Sequence, residues 1–387
     1  MAVTAPLRIG FVAGESSGDQ LGAALIAALR PQVSELNCAG VAGPKMRAAG
    51  CEAWAASDEL AVMGLIEPLK HLPRLLRLRG SLKRRFLAAR PQVFVGIDAP
   101  AFNIGLAAQL RRAGLKTVQY VSPQVWAWRQ GRVRSIARAC DLVLCLLPFE
   151  TEFYAQHGVR AIFVGHPLAD QIPLEVDRGA ARRALGLEAQ ATVVALLPGS
   201  RVGEVQRLGE DFLGAARWLE ARRPGIAFIA PMASAPVRRR FEQQAAALGL
   251  ASLRLIDGRS HEALAAADAV LVASGTATLE TLLSKRPMVV AYRFGALTAF
   301  LLRRLGLVKV PYFSQPNLLA GQRLVPEFFQ EAVTPVALGA ALLAQLEDPA
   351  RAHELEQVFT RVHRELRRDG AARAAAAILE LAAEARA

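Results

Sequence analysis

Two stretches in the second half of the chain place glycine, hydroxyl residues and charge directly after an apolar run. Leu196–Glu204 and Ser274–Glu280 each follow a β-like segment and lead into a helical pattern. Unpaired N–H groups and partial positive charge at a helix start favour an anion. Arg201 adds a guanidinium suited to phosphate, and Glu280 lies far enough into its helix to reach a ribose.

Together the two turns favour a nucleotide-sugar site, whereas either turn alone would more simply mark a strand–helix junction. The predicted nucleotide-sugar contacts are Gly199, Ser200, Arg201, Glu204, Ser274, Gly275, Thr276, Ala277, Thr278 and Glu280.

Carboxylates follow two apolar runs in the first half. The loop Gly14–Asp19 is glycine-rich but lacks the GK[ST] of a phosphate-binding loop, and its two acids would repel phosphate. Its Glu15, Ser16, Ser17 and Asp19 suit sugar hydroxyls, although helix capping by Ser17 or Asp19 explains the pattern equally well.

Asp98 comes directly after the apolar run Val93–Ile97. A carboxylate at the end of a buried strand is costly unless it is used or paired. Asp98 is therefore a natural general base, since apolar walls would raise its basicity. A structural aspartate at the sheet end is the simpler alternative.

The run Tyr120–Arg129 follows another predicted strand and contains two tryptophans, Trp126 and Trp128. With nearby arginines they could pack against sugar or acyl surface and hold a phosphate. Packing between domains explains them equally well.

Between Pro68 and Arg90 the chain has eight basic residues, no acid, and interleaved leucines, after the apolar stretch Leu60–Ile66. A basic amphipathic segment is typical of a surface that lies on an anionic bilayer. A core helix with a solvated basic face is the alternative. Nucleic acid is less favoured, because stacking aromatics and a binding motif are missing here. The predicted membrane contacts are Leu69, Leu72, Leu75, Leu76, Arg77, Lys83, Arg84 and Arg85.

Length and composition limit the class of protein that can carry these residues. With 387 residues, 53% hydrophobic and 21% charged, the sequence predicts a globular protein of two domains. Four scattered cysteines without metal spacing favour reduced thiols in a cytosolic protein. We expect no secretory signal, since the chain opens on an apolar strand, and no spanning helix, since no apolar run is long enough.

Short apolar runs alternate with helical patterns along most of the chain. This alternation predicts an α/β fold of two doubly wound, Rossmann-like domains that face a cleft, with ligands at the carboxyl ends of parallel strands. The predicted domains are 1–165 for the acceptor and lipid and 166–350 for the nucleotide sugar. Helical residues 351–387 are expected to pack on the first domain or on a second subunit. The predicted strands are Leu7–Ala13, Asn37–Val41, Val93–Ile97, Thr117–Val121, Leu142–Leu147, Ala161–Val164, Thr192–Leu197, Ala227–Ala230, Leu253–Ile256, Ala269–Ala273 and Met288–Ala291.

Six motifs in order resemble the lipid-A-disaccharide synthase family and cover almost the whole chain. AGESSGD together with SPQVWAWR is the specific pair, whereas PGSR and SGTATLE are common in glycosyltransferases; Gln315 departs from many relatives. The motifs are AGESSGD at Ala13–Asp19, GIDAPAFN at Gly96–Asn103, SPQVWAWRQGRV at Ser122–Val133, LLPGSRVGEV at Leu196–Val205, SGTATLE at Ser274–Glu280 and QPNLLAG at Gln315–Gly321.

The resemblance implies a GT-B fold and an inverting transfer from UDP-2,3-diacylglucosamine to 2,3-diacylglucosamine 1-phosphate. Asp98 would be the base, with Glu15 or Asp19 as substitutes, and Asn317 would contact the nucleotide or sugar. No cofactor is expected, and the lack of an Asp-x-Asp signature predicts metal-independent catalysis. The expected acceptor contacts are Ser16, Ser17, Asn103, Gln124, Trp126 and Arg129.

The implied partners are the two lipid substrates and, peripherally, the inner face of the cytoplasmic membrane, with a homodimer left open and no nucleic acid. Two rival functions remain: a UDP-sugar epimerase or hydrolase on the same fold, and a non-catalytic peripheral protein that binds nucleotide sugars or anionic lipid.

Overall fold

The structure is a computed structural model that describes residues 6–60, 67–127, 130–250, 252–295 and 311–384, with the backbone alone at 67–71. Arg129, the apolar residues 61–66 and the side chain of Leu69, all named above, lie outside the described parts.

All eleven predicted strands are present, with ends that differ from the prediction by at most two residues. Two further strands, Glu52–Ala56 and Glu327–Phe329, were missed; both are short and lie at a sheet edge. Their residues are half-buried or exposed, so no apolar run marks them. The described strands are β1 (Leu7–Ala13), β2 (Leu36–Ala42), β3 (Glu52–Ala56), β4 (Val93–Ile97), β5 (Lys116–Tyr120), β6 (Leu142–Cys145), β7 (Ala161–Phe163), β8 (Thr192–Leu197), β9 (Ile226–Met232), β10 (Leu253–Asp257), β11 (Ala269–Ala273), β12 (Met288–Tyr292) and β13 (Glu327–Phe329).

Helices separate most of these strands. Short 3₁₀ turns cover Arg30–Gln32, Ser57–Glu59, Gln130–Arg132 and Gln330–Ala332. Among the described residues no helix has both the length and the apolar character needed to cross a bilayer. The described helices are α1 (Glu15–Leu29), α2 (Pro44–Ala48), α3 (Glu67–Ala89), α4 (Pro100–Arg112), α5 (Val133–Ala139), α6 (Phe149–Ala155), α7 (Pro167–Gln171), α8 (Arg178–Leu185), α9 (Val202–Glu220), α10 (Ala235–Leu248), α11 (Ser260–Ala266), α12 (Thr276–Leu283), α13 (Gln315–Ala320), α14 (Pro335–Glu347), α15 (Pro349–Leu366) and α16 (Gly370–Glu384).

The chain divides into two compact units. Unit 1 contains Met1–Asp170 and Leu366–Ala387, and unit 2 contains Gln171–Glu365. The division therefore falls later than the predicted residue 165, and the terminal segment predicted to start at 351 is split between the units. Two causes place α16 in unit 1: its apolar face joins the core around α1, and Asp170 accepts hydrogen bonds from the N–H groups of residues 368–370.

Each unit is built on one parallel sheet with helices on its faces. In the described residues the order is β3-β2-β1-β4-β5-β6-β7 in unit 1 and β10-β9-β8-β11-β12-β13 in unit 2. Strand order reverses between β1 and β4 and again between β8 and β11. Such switch points open a crevice at the carboxyl ends of the strands, where ligands bind in folds of this kind. Gly14 and Asp98 lie at the first switch point, and residues 15–19, predicted as a loop, form the first part of α1 there. Both predicted nucleotide turns lie at the second switch point.

Candidate active site

The backbone is strained where strands β1, β4 and β5 end in unit 1. Glu15 (φ 58°), Asp98 (φ 51°), Ala99 (φ 40°) and Val121 (φ 73°) are all left-handed. This conformation is unfavourable for most non-glycine residues and is a genuine outlier for a β-branched one. Strain of this kind persists only where the surrounding structure imposes it, and it clusters at functional sites. Three of these four residues, Glu15, Asp98 and Ala99, lie at the switch point of unit 1, which makes it the candidate site of this unit.

Asp98 has a desolvated carboxylate with its main chain fixed from two sides. Its carbonyl accepts from Asn103 Nδ2 (2.8 Å) and from Gln119 Nε2 (3.0 Å). Burial raises the pKa of the carboxyl, and a hydrogen bond from the Ala99 N–H acts in the opposite direction. Among the described residues no cation pairs with it. A carboxylate of raised pKa that is held in place by its backbone is suited to act as a general base.

Asp19 and Asn103, predicted to serve chemistry and the acceptor, make structural contacts: both carboxylate oxygens of Asp19 and the amide nitrogen of Asn103 are hydrogen-bonded, whereas the buried Asn103 Oδ1 has no partner among the described residues. The buried carboxylate of Asp19 accepts from the N–H groups of Lys45 (2.8 Å) and Met46 (2.9 Å), which caps α2 rather than its own helix. Nδ2 of the buried Asn103 donates to carbonyls at the ends of β1 and β4, including Val12 (3.3 Å). Both residues position the switch point. The exposed Ser16 and Ser17 and the half-buried Glu15 keep the predicted acceptor location.

Trp126 leads to a residue that sequence reasoning missed. Its indole Nε1 donates to Glu150 Oε1 (3.0 Å), while Gln124 beside it is exposed. Glu150 is 3% exposed, and burial raises the pKa of its carboxyl to about 7. It lies within α6, five residues beyond the end of the buried strand β6, so the signal that marked Asp98, a carboxylate directly after an apolar run, does not mark Glu150.

In unit 2, the first nucleotide turn is closed by one of its own side chains. Glu204 Oε2 accepts from the N–H groups of Ser200 (3.0 Å) and Arg201 (3.3 Å). Gly199 (φ 132°) is required here, since an added Cβ would lie 2.5 Å from the Cβ of Glu204. The Arg201 side chain is 67% exposed, and its Nη1 lies 3.7 Å from Glu204 Oε1. The turn thus exposes the Arg201 guanidinium, while the N–H groups of Ser200 and Arg201 donate to the Glu204 carboxylate.

The second nucleotide turn offers backbone donors instead. Gly275 (φ 152°) precedes α12, and no side chain among the described residues caps that helix start, where Thr276 is exposed. The hydroxyl of Ser274 donates to the Phe313 carbonyl (3.0 Å), and that of Thr278 donates to the Gly275 carbonyl (2.8 Å). These two hydroxyls stabilise the turn, which leaves the N–H groups of Thr276 and Ala277 as its donors to an anion.

Glu280 and Asn317 differ in what they can still contact. Glu280 is half-buried on α12; burial raises the pKa of its carboxyl, and His261 Nε2 lies 3.9 Å from Oε1. The amide of the fully buried Asn317 is engaged by the main chain of Leu324 and Val325 at 2.8 to 2.9 Å. Its contacts therefore support a positioning role rather than the predicted direct contact.

The basic segment forms α3, and its leucines differ in exposure. Leu72 and Leu76, one turn apart, are 45% and 50% exposed, whereas Leu75 is half-buried against the core of unit 1. Arg77, Arg84 and Arg85 are exposed and Lys83 is half-buried. The Arg85 guanidinium lies over the Trp54 ring, 4.4 Å from its centroid. One leucine thus packs inward, as the core-helix alternative expects, and two remain exposed among basic residues; contact with a membrane stays a prediction.

Comparison with solved structures defines the fold. The UDP-GlcNAc 2-epimerase of Neisseria meningitidis bound to UDP-GlcNAc superposes with a TM-score of 0.63 at 11% identity, over 97% of this chain and 99% of that one. CalG4, the calicheamicin glycosyltransferase, superposes with a TM-score of 0.56 at 16% identity, over 98% of each chain. At these identities the likeness shows the fold alone.

Sequence comparison defines the family. A family model described as lipid-A-disaccharide synthetase matches residues 9–382. The lipid-A-disaccharide synthase of Pseudomonas aeruginosa (strain UCBPP-PA14) is 55% identical over 375 residues, 97% of this chain and 98% of that relative.

Fold and comparisons together define a glycosyltransferase with a GT-B fold. The chain belongs to the lipid-A-disaccharide synthase family, the glycosyltransferases of lipid A biosynthesis. The resemblance inferred from the six motifs is thereby confirmed, as are the fold class and the glycosyltransferase prediction.

Proposed function

We propose that this chain joins UDP-2,3-diacylglucosamine to 2,3-diacylglucosamine 1-phosphate, giving a β-1,6-linked disaccharide 1-phosphate and UDP. Asp98 takes the proton of the acceptor 6-hydroxyl as that oxygen attacks the anomeric carbon from the face opposite UDP. The bond from that carbon to the diphosphate breaks, UDP leaves, and an α donor gives a β product.

The observation that carries this proposal is the desolvated carboxylate of Asp98 at the switch point of unit 1. Within the described residues, the hydrogen bond to this carboxylate comes from the N–H of Ala99, so the carboxylate can accept a substrate proton. Because burial raises its pKa, the acidic limb of the rate profile should lie above the usual aspartate range.

The donor nucleotide belongs to the second switch point. The N–H groups of Thr276 and Ala277 and the guanidinium of Arg201 meet the diphosphate and the charge that develops on the leaving group. Glu280, one turn into α12, accepts from the ribose hydroxyls. No metal is required in this scheme, because fixed dipoles and Arg201 supply the electrostatic stabilisation.

The acceptor belongs to unit 1. Ser16 and Ser17 are exposed beside Glu15 in the first turn of α1, and Gln124 is exposed beside Trp126 in the segment after β5, so both places offer hydrogen-bonding groups to a sugar phosphate. If Asp98 were structural, Glu15 would be the better substitute base, since both carboxylate oxygens of Asp19 already cap α2.

The acyl chains of both substrates favour peripheral contact of α3 with the cytoplasmic face of the membrane. Leu72 and Leu76 supply apolar surface, and Arg77, Arg84 and Arg85 supply charge. Each buried methylene contributes about 0.8 kcal/mol, and each surface cation near anionic lipid contributes about 1 kcal/mol.

The direct test incubates purified protein with both substrates and analyses the products by mass spectrometry, with each substrate omitted in turn. Disaccharide and UDP that form only when both substrates are present support the proposal. UDP or an epimerised sugar that forms without the acceptor would instead identify a hydrolase or epimerase. Binding without turnover would identify a non-catalytic lipid protein.

A further inference from the structure

We infer that Glu150 is a positioning residue for the acceptor. Its buried carboxylate fixes the segment Ser122–Ala127 after β5, so that Gln124 and Trp126 are presented in one geometry. This inference rests on the proposed function, which places the acceptor at this end of unit 1.

The hydrogen bonds of Glu150 connect two strand ends. Oε1 accepts from Trp126 Nε1 (3.0 Å), and Oε2 accepts from the Leu147 N–H (3.1 Å) beyond β6. The hydroxyl of Ser122 donates to the Pro123 carbonyl (3.3 Å) and lies 3.1 Å from the Tyr154 hydroxyl. The Glu150 carboxylate therefore ties Trp126 to the chain that follows β6, and Ser122, at the other end of the segment, contacts Tyr154 on α6.

The segment needs such an anchor because it leaves β5 through a strained residue. Val121 is left-handed (φ 73°) although it is β-branched. A conformation of this kind persists only when contacts on the far side over-determine it. Glu150 and the edge-on packing of Trp126 against the Phe149 ring, with centroids 4.8 Å apart, supply those contacts.

Burial of the Glu150 carboxylate costs free energy that a purely structural contact could avoid. Burying a carboxylate without a cation is costly, and among the described residues no cation offsets the charge of Glu150. The titratable groups that face it are Cys145 on β6 and Tyr154 on α6, both neutral since burial raises the pKa of each. A desolvated carboxylate of this kind is typical of functional sites.

Protonation of Glu150 changes acceptor binding and stability in opposite directions. Because its pKa is about 7, the ionised form that accepts from both Trp126 and Leu147 dominates only above neutral pH. Below pH 7 an added proton faces N–H donors, so the segment loosens and acceptor binding weakens. The folded protein binds this proton more tightly than an ordinary glutamate does, so the contribution of Glu150 to the free energy of unfolding rises as pH falls from about 7 to 4.5.

The test compares Glu150→Gln with the matched control Glu152→Gln, an exposed glutamate on the same helix. Acceptor and donor KM, kcat and the acceptor dissociation constant are measured between pH 6 and 8.5 in mixed micelles, with thermal melts as the fold control. At pH 8 we expect Glu150→Gln to raise acceptor KM about tenfold, with kcat within threefold and donor KM unchanged, since one of two N–H donors loses its acceptor. Wild type and Glu152→Gln should show acceptor KM rising toward pH 6, and Glu150→Gln should not.

Trp126→Phe provides a second route if Glu150→Gln folds poorly, because it keeps an aromatic ring and removes the indole N–H. It should weaken acceptor binding in the same direction, and the double variant should lose less than the sum of the two single effects.

An acceptor affinity that is unchanged in both variants would overturn the inference, as would equal losses in acceptor and donor KM. If wild type binds the acceptor but forms no disaccharide, the proposed reaction fails while the acceptor dissociation constants still decide the role of Glu150. If wild type does not bind the acceptor at all, the inference fails with the proposed function.

Discussion

The two units share a parallel, doubly wound topology but build their switch points from different materials. In unit 1 the left-handed positions are occupied by Glu15, Asp98 and Val121, and desolvated carboxyls stand nearby. In unit 2 the corresponding left-handed positions are Gly199 and Gly275, the Arg201 guanidinium is exposed, and the carboxyl described there as desolvated is that of Glu280.

The difference indicates that one topology can support two tasks. A strained backbone is typical of functional sites, and desolvation makes a carboxylate more basic, which suits proton transfer. Glycine allows the backbone to approach a ligand closely. Unpaired N–H groups and an exposed guanidinium suit the binding of an anion rather than a chemical step on it. This contrast supports the proposal that proton transfer belongs to unit 1 and nucleotide binding to unit 2.

The largest effect should come from Asp98→Asn. Asparagine is nearly isosteric and tolerates the left-handed backbone at this position, so the fold should survive. Turnover should fall by roughly a hundredfold or more, as for loss of a general base. Steady-state kcat checks this, with Glu15→Gln as the comparison variant. Near-normal turnover in Asp98→Asn would move the base to Glu15.

A smaller effect, confined to unit 2, should follow Arg201→Ala. UDP binding should weaken by about 1.5 to 3 kcal/mol, typical of a lost charge-assisted hydrogen bond. Isothermal titration calorimetry with UDP measures this, and Arg239→Ala, an exposed arginine on α10, is the control. Equal UDP affinities in both variants would mean that Arg201 does not meet the diphosphate.

Gly275→Ala tests whether the open turn depends on glycine. At φ 152° a side chain is strained, and the displaced N–H groups should lower UDP affinity about tenfold. Gly249→Ala changes a glycine of positive φ that ends α10, so it should lower the melting temperature and spare UDP affinity. If the two variants behave alike towards UDP, the donors at α12 are not part of the site.

The smallest effect should appear at α3. Replacing Leu72 and Leu76 with Ser should reduce sedimentation with anionic vesicles severalfold and leave UDP affinity unchanged, because only the salt-resistant apolar component is removed. Leu75→Ser should instead lower the melting temperature, since Leu75 packs on the core. Undiminished vesicle binding by the double variant would show that these two leucines do not meet the membrane.

The strands at the switch points could be predicted almost to the residue, because β1, β4, β8 and β11 are buried apolar runs that end at glycine, proline or polar residues. The edge strands β3 and β13 could not, since they lack such runs. Asp98 was found by its place directly after a buried strand, whereas Glu150 lies within α6 and its contact with Trp126, 24 residues away, is shown by no local pattern.

Predictions for individual site residues depended on how far away their partners lie in the sequence. The capping of α2 by Asp19 depends on N–H groups 26 and 27 residues away, which no local pattern reveals. The closure of Glu204 on Ser200 and Arg201 spans four and three residues, and a capping-box pattern could have indicated it.

The division of labour is tested most directly by the UDP dissociation constant of Asp98→Asn, measured by calorimetry beside wild type. UDP affinity of the variant should stay within about twofold of wild type while turnover falls roughly a hundredfold, because the base contacts the acceptor and not the nucleotide. A UDP affinity that falls in parallel with turnover would contradict it, since Asp98 would then act in nucleotide binding.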